Sequence, residues 1–314
     1  MTATVLASFS GHSFESLLEI LNPDFVLRNS LYASVLIGAV VPLVGVFLVI
    51  GRRTILALAL PQVSTLGVAL IVWSGTFLGV NWTFNHHGAL FLACAISGAV
   101  AAMAAALIWE FLVERRCATP GEAETGALYA LAAAGTLAIA ASNLVPELGL
   151  LDVLRGEILA VPDSLLLSVA VGFSLILLVL VLFRRALHFV LYDAVLAHAS
   201  GFAAKRVAFL TLGLISVTVA LGGLCAGPLT IFAFLVLPPL TFLPLVRHLR
   251  HLYVASVIMG LVCAFCGFWI SFAIEEWTLP IPSAQVLLLC AVWIGVRLWL
   301  LIRNPARGVP NASP

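Results

Sequence analysis

Between Arg28 and Arg52 the sequence carries no charged side chain, and leucine, valine, isoleucine, alanine and glycine fill most of the interval. Such a run matches the roughly 20 apolar residues that a helix needs to cross the hydrocarbon core of a bilayer. The pattern recurs along the chain, at 30–50, 54–74, 88–110, 125–142, 164–183, 207–226, 228–246, 252–274 and 283–302. None of these runs alternates polar and apolar residues with the period of two expected of a barrel strand. Hydrocarbon offers no water to backbone N–H and C=O groups, so each run has to satisfy its own backbone as a helix. Composition agrees, because 63% of the 314 residues are hydrophobic and 9% are charged, against about a quarter charged in a soluble domain. The expectation is an all-α, polytopic transmembrane bundle of eight to nine spans. The count turns on the sixth and seventh runs, which only Gly222, Gly223, Gly227 and Pro228 separate. A kinked or re-entrant element is the alternative to two full spans there.

Basic residues orient the bundle. Arg52 and Arg53, Arg115 and Arg116, Arg184, Arg185, Lys205 and Arg206, Arg247 and Arg250, and Arg303 and Arg307 all fall on one side if nine spans are threaded. Only Arg28 and Arg155 fall in the opposite loops. Excess lysine and arginine mark cytoplasmic loops, which puts the N-terminus outside and the C-terminus in the cytoplasm. Residues 1–28 read as an extracytoplasmic amphipathic segment, with Phe14, Leu17, Leu18 and Leu21 at helical spacing and Glu15 and Glu19 opposite. Residues 29–303 form the membrane domain, and 304–314 read as a disordered cytoplasmic tail. No basic stretch followed by an apolar core opens the chain, so no cleavable signal peptide is expected.

Several function classes are excluded. A net charge of +1 gives no electrostatic footprint for nucleic acid. No G-x-x-x-x-G-K-[ST] loop is present to cradle a nucleotide phosphate, and Lys205 is the sole lysine. The chain is therefore read as non-enzymatic and without a cofactor of its own. A gradient-driven carrier keeps ionisable groups at mid-membrane, whereas here Glu110 and Arg297 lie near span ends, where snorkelling explains them. Cys263 and Cys266 read C-x-x-C inside an unbroken apolar stretch and are taken as small hydrophobes.

Two features point to transport. Pro61 interrupts the second run, and Pro238, Pro239 and Pro244 interrupt the seventh. Such breaks either line a pathway with freed backbone groups or are kinks tolerated by packing. The interval from Phe183 to Val207, FRRALHFVLYDAVLAHASGFAAKRV, reads as a short amphipathic helix with Asp193 near its start and Gly201 as C-cap. It either docks into a cytoplasmic partner or lies on lipid.

The stretch YDAVLAHASGF, with Asp193, Ala197 and Gly201 at four-residue spacing, resembles the coupling segment of the permease subunits of zinc, manganese and iron ABC importers, the ABC-3 family. GPLTIFAFLVLPPLTFLPL (Gly227 to Leu245) is similar to a later span of that family, with Pro239 where alanine is usual. GEILAVPDSLLL, ETGALYALAAAG and GVFLVIGRRTILALALPQVSTLGVAL resemble its outer-loop signature, its Glu-Thr helix start and its first hairpin. The matches keep the family's order over roughly residues 28 to 300. The resemblance implies a permease energised by separate cytoplasmic ABC ATPase subunits that bind the ATP. It also implies a second permease chain, identical or different, and an extracytoplasmic solute-binding protein. The setting is the bacterial cytoplasmic membrane with its anionic lipid. Tyr192, Asp193, Ala197 and Gly201 are then the ATPase-coupling residues.

One departure bears on the cargo. Metal-importing members carry an Asp-x-x-x-His pair on the second span, a spacing that puts both ligands on one helix face. Here those positions fall on Leu58 and Gln62. Pro61, Gln62, Ser64 and Thr65 remain as candidates for the translocation pathway, with neutral oxygens that hold a bare zinc ion poorly beside His and Asp. The proline also suggests a local break in that helix. His86 and His87 in the loop WTFNHHG are weak candidates for metal capture, or else a solvated loop pair; His188, His198, His248 and His251 read as surface groups of a basic rim. The readings left open are divalent metal import, transport of a chelate or other small solute, a heterodimer whose other chain supplies ligands, and a non-transporting membrane scaffold.

Overall fold

The computed structural model describes residues 27–51, 53–77, 87–115, 121–141, 163–192, 204–273 and 279–303. These residues fold into eight helices and no strand. The helices are α1 (Arg28–Ile50), α2 (Thr54–Phe77), α3 (His87–Arg115), α4 (Gly121–Ala141), α5 (Asp163–Tyr192), α6 (Ala204–Phe242), α7 (Leu249–Ala273) and α8 (Ile281–Arg303). All eight are long and apolar enough to cross a membrane. Their outward faces carry large apolar side chains, such as Leu182 at 72% and Ile302 at 81% exposure. That surface suits lipid, where a water-soluble monomer rarely exposes wide apolar patches.

Lipid tails are as apolar as leucine, so helix association rests on close packing of small residues rather than on a hydrophobic drive. α6 is the centre: it packs closely on α1, α2, α3, α5, α7 and α8, and Val219, Ile231, Phe234 and Leu235 are fully buried. α2, α3 and α4 form a second group in which α2 lies against both partners. α2 hardly touches α1, although only a short connection through Gly51 and Arg53 joins them. Several hydroxyls inside the helices turn back onto their own backbone. Thr136 donates to the Ala132 carbonyl at 2.7 Å, Thr218 to Leu214 at 2.6 Å and Thr241 to Leu237 at 2.6 Å, which satisfies them without water.

The sixth and seventh apolar runs are one helical element with a single non-helical residue, Gly227, at φ 76° and ψ 162°. Thirty-nine residues of straight helix would reach about 58 Å, nearly twice the hydrocarbon thickness. The element does not run straight. A Cβ on Gly222 would stand 2.5 Å from Ile231 Cδ1, yet residues nine apart in a straight helix are separated by about 13.5 Å along the axis. The arms 204–226 and 228–242 therefore fold back on each other at Gly227, where the positive φ is one that only glycine adopts without strain. The same reversal brings the start of α7 to the end of the bundle where α1 and α5 finish. There the Phe47 ring is 5.8 Å from His188 and 5.9 Å from Tyr253.

Three local expectations change. α2 runs unbroken from Thr54 to Phe77 with buried Pro61 inside it, so the proline does not break that helix. Pro238 and Pro239 likewise lie inside α6, which ends at Phe242 ahead of Pro244. Residues 184–192, expected within a separate amphipathic helix, instead continue α5 beyond its apolar run to Tyr192.

Candidate functional site

The four pathway candidates occupy one turn of α2, and their side chains have different surroundings. Ser64 is 2% exposed and sits against α3, where a Cβ on Gly98 would meet its Oγ at 2.7 Å. Thr65, 6% exposed, donates its hydroxyl to the Gln62 carbonyl at 2.8 Å. Pro61 is buried. Gln62 and Leu58, four residues apart on one face, are both partly exposed. Of the four, Gln62 is thus the one that presents its side chain at a surface, and its neighbour there is a hydrocarbon.

The basic end of the bundle holds a polar cluster that sequence reasoning did not assemble. Arg53, at the start of α2, meets Glu110 of α3 through two prongs, Nη2 to Oε1 at 2.8 Å and Nη1 to Oε2 at 2.6 Å. The same guanidinium lies 5.6 Å from the Trp109 ring centre, a favourable cation–π distance. Trp109 Nε1 then donates to Thr125 Oγ1 of α4 at 2.8 Å, and Thr125 is 1% exposed. One chain of contacts thereby ties the ends of α2, α3 and α4. The sequence signal lay in Arg53 and Glu110, read separately as a loop charge and a snorkelling acid. Glu110 in fact lies five positions inside the end of α3 and is paired.

At the same end α5 finishes at Tyr192. Asp193, Ala197, Gly201 and His198 lie outside the described residues, and of Tyr192 only the backbone is described. His86 also lies outside them, and His87 is described only as the backbone start of α3. His188 Nδ1 approaches the Arg184 carbonyl one turn back, while His248, just before α7, and His251, in its first turn, pack edge to face, 5.7 Å apart, at an exposed corner. No group of three His, Cys, Asp or Glu side chains among the described residues gathers closely enough to hold a metal ion.

Eight apolar helices, one of them a reversed central element, define a multi-pass membrane protein of the permease type. The chain belongs to the ABC 3 transport family, whose profile matches residues 24–299. Members are the membrane permeases of ABC transporters, with ATP hydrolysis in separate subunits. The chain is 22% identical over 246 residues to the manganese transport system membrane protein MntC of Halalkalibacterium halodurans, covering 78% of each. It is 24% identical over 250 residues to the manganese import system permease protein ScaB of Streptococcus parasanguinis, covering 79% of this chain and 82% of that one. The fold is similar to PsaBC from Streptococcus pneumoniae, solved in complex with Fab, with a TM-score of 0.73, 20% identity and coverage of 92% of this chain and 99% of the other.

Proposed function

We propose that this chain is the transmembrane half of an ATP-driven importer in a bacterial cytoplasmic membrane, and that its cargo is a divalent metal ion of the zinc, manganese and iron class. The observation that carries the reading is the family match across 24–299, joined to relatives named for manganese transport and import. Two such chains, or this chain and a different permease, enclose the pathway. Two cytoplasmic ATPase subunits drive it and an extracytoplasmic binding protein delivers the cargo. The end carrying Arg53, Arg184, Arg185, Arg206, Arg247 and Arg250 faces the cytoplasm and its anionic leaflet. That assignment puts the N-terminus outside and the C-terminus inside, and the fold-back at Gly227 supports a nine-pass thread within eight helices. Force from the ATPase enters through Tyr192, Asp193, Ala197 and Gly201 and biases the permease between outward- and inward-open states.

Along the pathway Gln62 and Leu58 face the cargo, while Pro61, Ser64 and Thr65 support them from the packed side of α2. His86 and His87 are left as an outer capture point. A second reading is favoured by Leu58 and Gln62 themselves. An amide and an isobutyl group, where metal importers carry a carboxylate and an imidazole, suit a chelated metal better than a bare ion.

The test is metal accumulation in a bacterial host stripped of its own manganese and zinc importers and expressing this permease with its cognate ATPase and binding protein. Raised cellular manganese, zinc or iron, abolished by disabling the ATPase, supports the proposal. Unchanged content of all three overturns it.

A further inference from the structure

A proline inside a helix has no N–H, so the carbonyl four residues earlier loses its helical donor. In a membrane interior no water replaces that donor, and an unmet carbonyl is costly. Where such carbonyls go is therefore a question with a definite answer at each proline. Pro42 of α1 frees the Gly38 carbonyl, and Pro239 in the second arm of α6 frees that of Leu235. Both oxygens lie against the Cα of a glycine in another helix. A Cβ built on Gly45 of α1 would overlap the Leu235 oxygen, and would stand 2.7 Å from the carbonyl carbon behind it. A Cβ built on Gly260 of α7 would overlap the Gly38 oxygen, with the carbonyl carbon at 3.1 Å and Pro42 Cγ at 2.7 Å. The approach at α1 and α7 is mutual, since a Cβ on Gly38 would stand 2.6 Å from the Gly260 oxygen. Leu235 is fully buried, as are Gly38, Pro42, Gly45 and Gly260.

We propose that Gly45 and Gly260 serve as Cα–H donors to the two carbonyls that Pro239 and Pro42 leave without a helical partner, fastening α1, α7 and the second arm of α6 into one body. Glycine is required twice over at each point. It removes the Cβ that would collide with the oxygen, and its polarised Cα–H groups supply the weak donor that recurs where helices approach closely. The arrangement gives these prolines a role in packing and not in lining a pathway. α2, whose start abuts the end of α1, shares neither contact.

The two-part design makes the idea separable from ordinary small-residue packing. Restoring an N–H with Pro239→Ala gives the Leu235 carbonyl its helical donor again and draws it back toward the α6 axis. Thermal unfolding of the purified full-length chain in detergent is measured for Gly45→Ala, Pro239→Ala and the double variant. Gly45→Ala is expected to lower the unfolding midpoint by several degrees, and by less than half as much when Pro239 is already alanine. No proline ring atom is among the atoms nearest Gly45, so that coupling reports the carbonyl. Equal losses in the two backgrounds would overturn the proposal. If Gly45→Ala alone yields no folded protein, recovery of a monodisperse species in the double variant supports the idea, and failure to recover while Pro239→Ala folds overturns it. If Pro239→Ala itself does not fold, the same cycle is read with Pro239→Leu, which restores the same N–H, with the same two outcomes.

Discussion

Arg53, the residue before α2, is joined to Glu110 in the last third of α3 by one N–H donation to Oε1 at 2.8 Å and an ion-pair contact of Nη1 with Oε2 at 2.6 Å. Both side chains are about a third exposed, so solvent screens part of the attraction and the pair sits between the surface and buried cases. Glu110→Gln keeps the shape and removes the charge; it is expected to destabilise by about 1 kcal/mol, in the range of a partly screened ion pair. Arg53→Ala also strips the contact with Trp109 and should cost more. The double variant Arg53→Gln/Glu110→Gln should cost less than the sum of its single changes, and thermal unfolding in detergent reads all of these.

Gly227 holds the fold-back of α6 at φ 76°. With ψ at 162° this is a region essentially reserved for glycine, where an L-residue is strained by about 1–3 kcal/mol, so Gly227→Ala should lower the unfolding midpoint and Gly227→Val should lower it further. Gly223, where a Cβ would meet nothing within 4 Å, supplies the control: Gly223→Ala should leave stability nearly unchanged or raise it slightly. Equal effects at the two glycines would contradict the fold-back.

The face formed by Leu58 and Gln62 makes a prediction about metal affinity. The native chain should retain little free manganese or zinc in equilibrium dialysis at micromolar concentrations. Leu58→Asp/Gln62→His rebuilds a carboxylate and an imidazole one turn apart and should add a measurable site. Strong retention by the native chain, or none by the double variant, would speak against assigning the cargo face to these positions.

Asp193 is expected to anchor the ATPase. Asp193→Ala should reduce copurification of the ATPase with the permease while leaving the permease's own unfolding midpoint in place. Undiminished copurification would remove that role.

The helical architecture was legible because its cause is local: uncharged runs such as 29–51 force self-satisfied backbone wherever lipid surrounds them. The fold-back at Gly227 was legible as a place and not as a geometry, since Gly222, Gly223, Gly227 and Pro228 mark a break but only long-range packing of Ile231 on Gly222 fixes its sharpness. Pro61 misled, because a proline reads as an interruption, while tertiary packing on α3 and α4 keeps α2 continuous around it. The polar cluster at Arg53 was out of reach for a different reason. Its partners stand 57 positions apart, and no periodicity links a residue at one helix start to another near a different helix end. Of the pathway candidates, sequence chemistry could name Ser64 and Thr65 as oxygen donors. It could not tell that one hydroxyl packs against Gly98 and the other bonds back to its own helix.

Metal uptake into vesicles tests the central claim most directly. The permease is reconstituted with its ATPase and loaded binding protein, and radioactive manganese, zinc or iron, free or chelated, is followed with and without ATP. Accumulation of at least one of these metals that requires ATP and the ATPase is the predicted result. Uptake of none of them, or uptake that proceeds equally without ATP, would contradict the account.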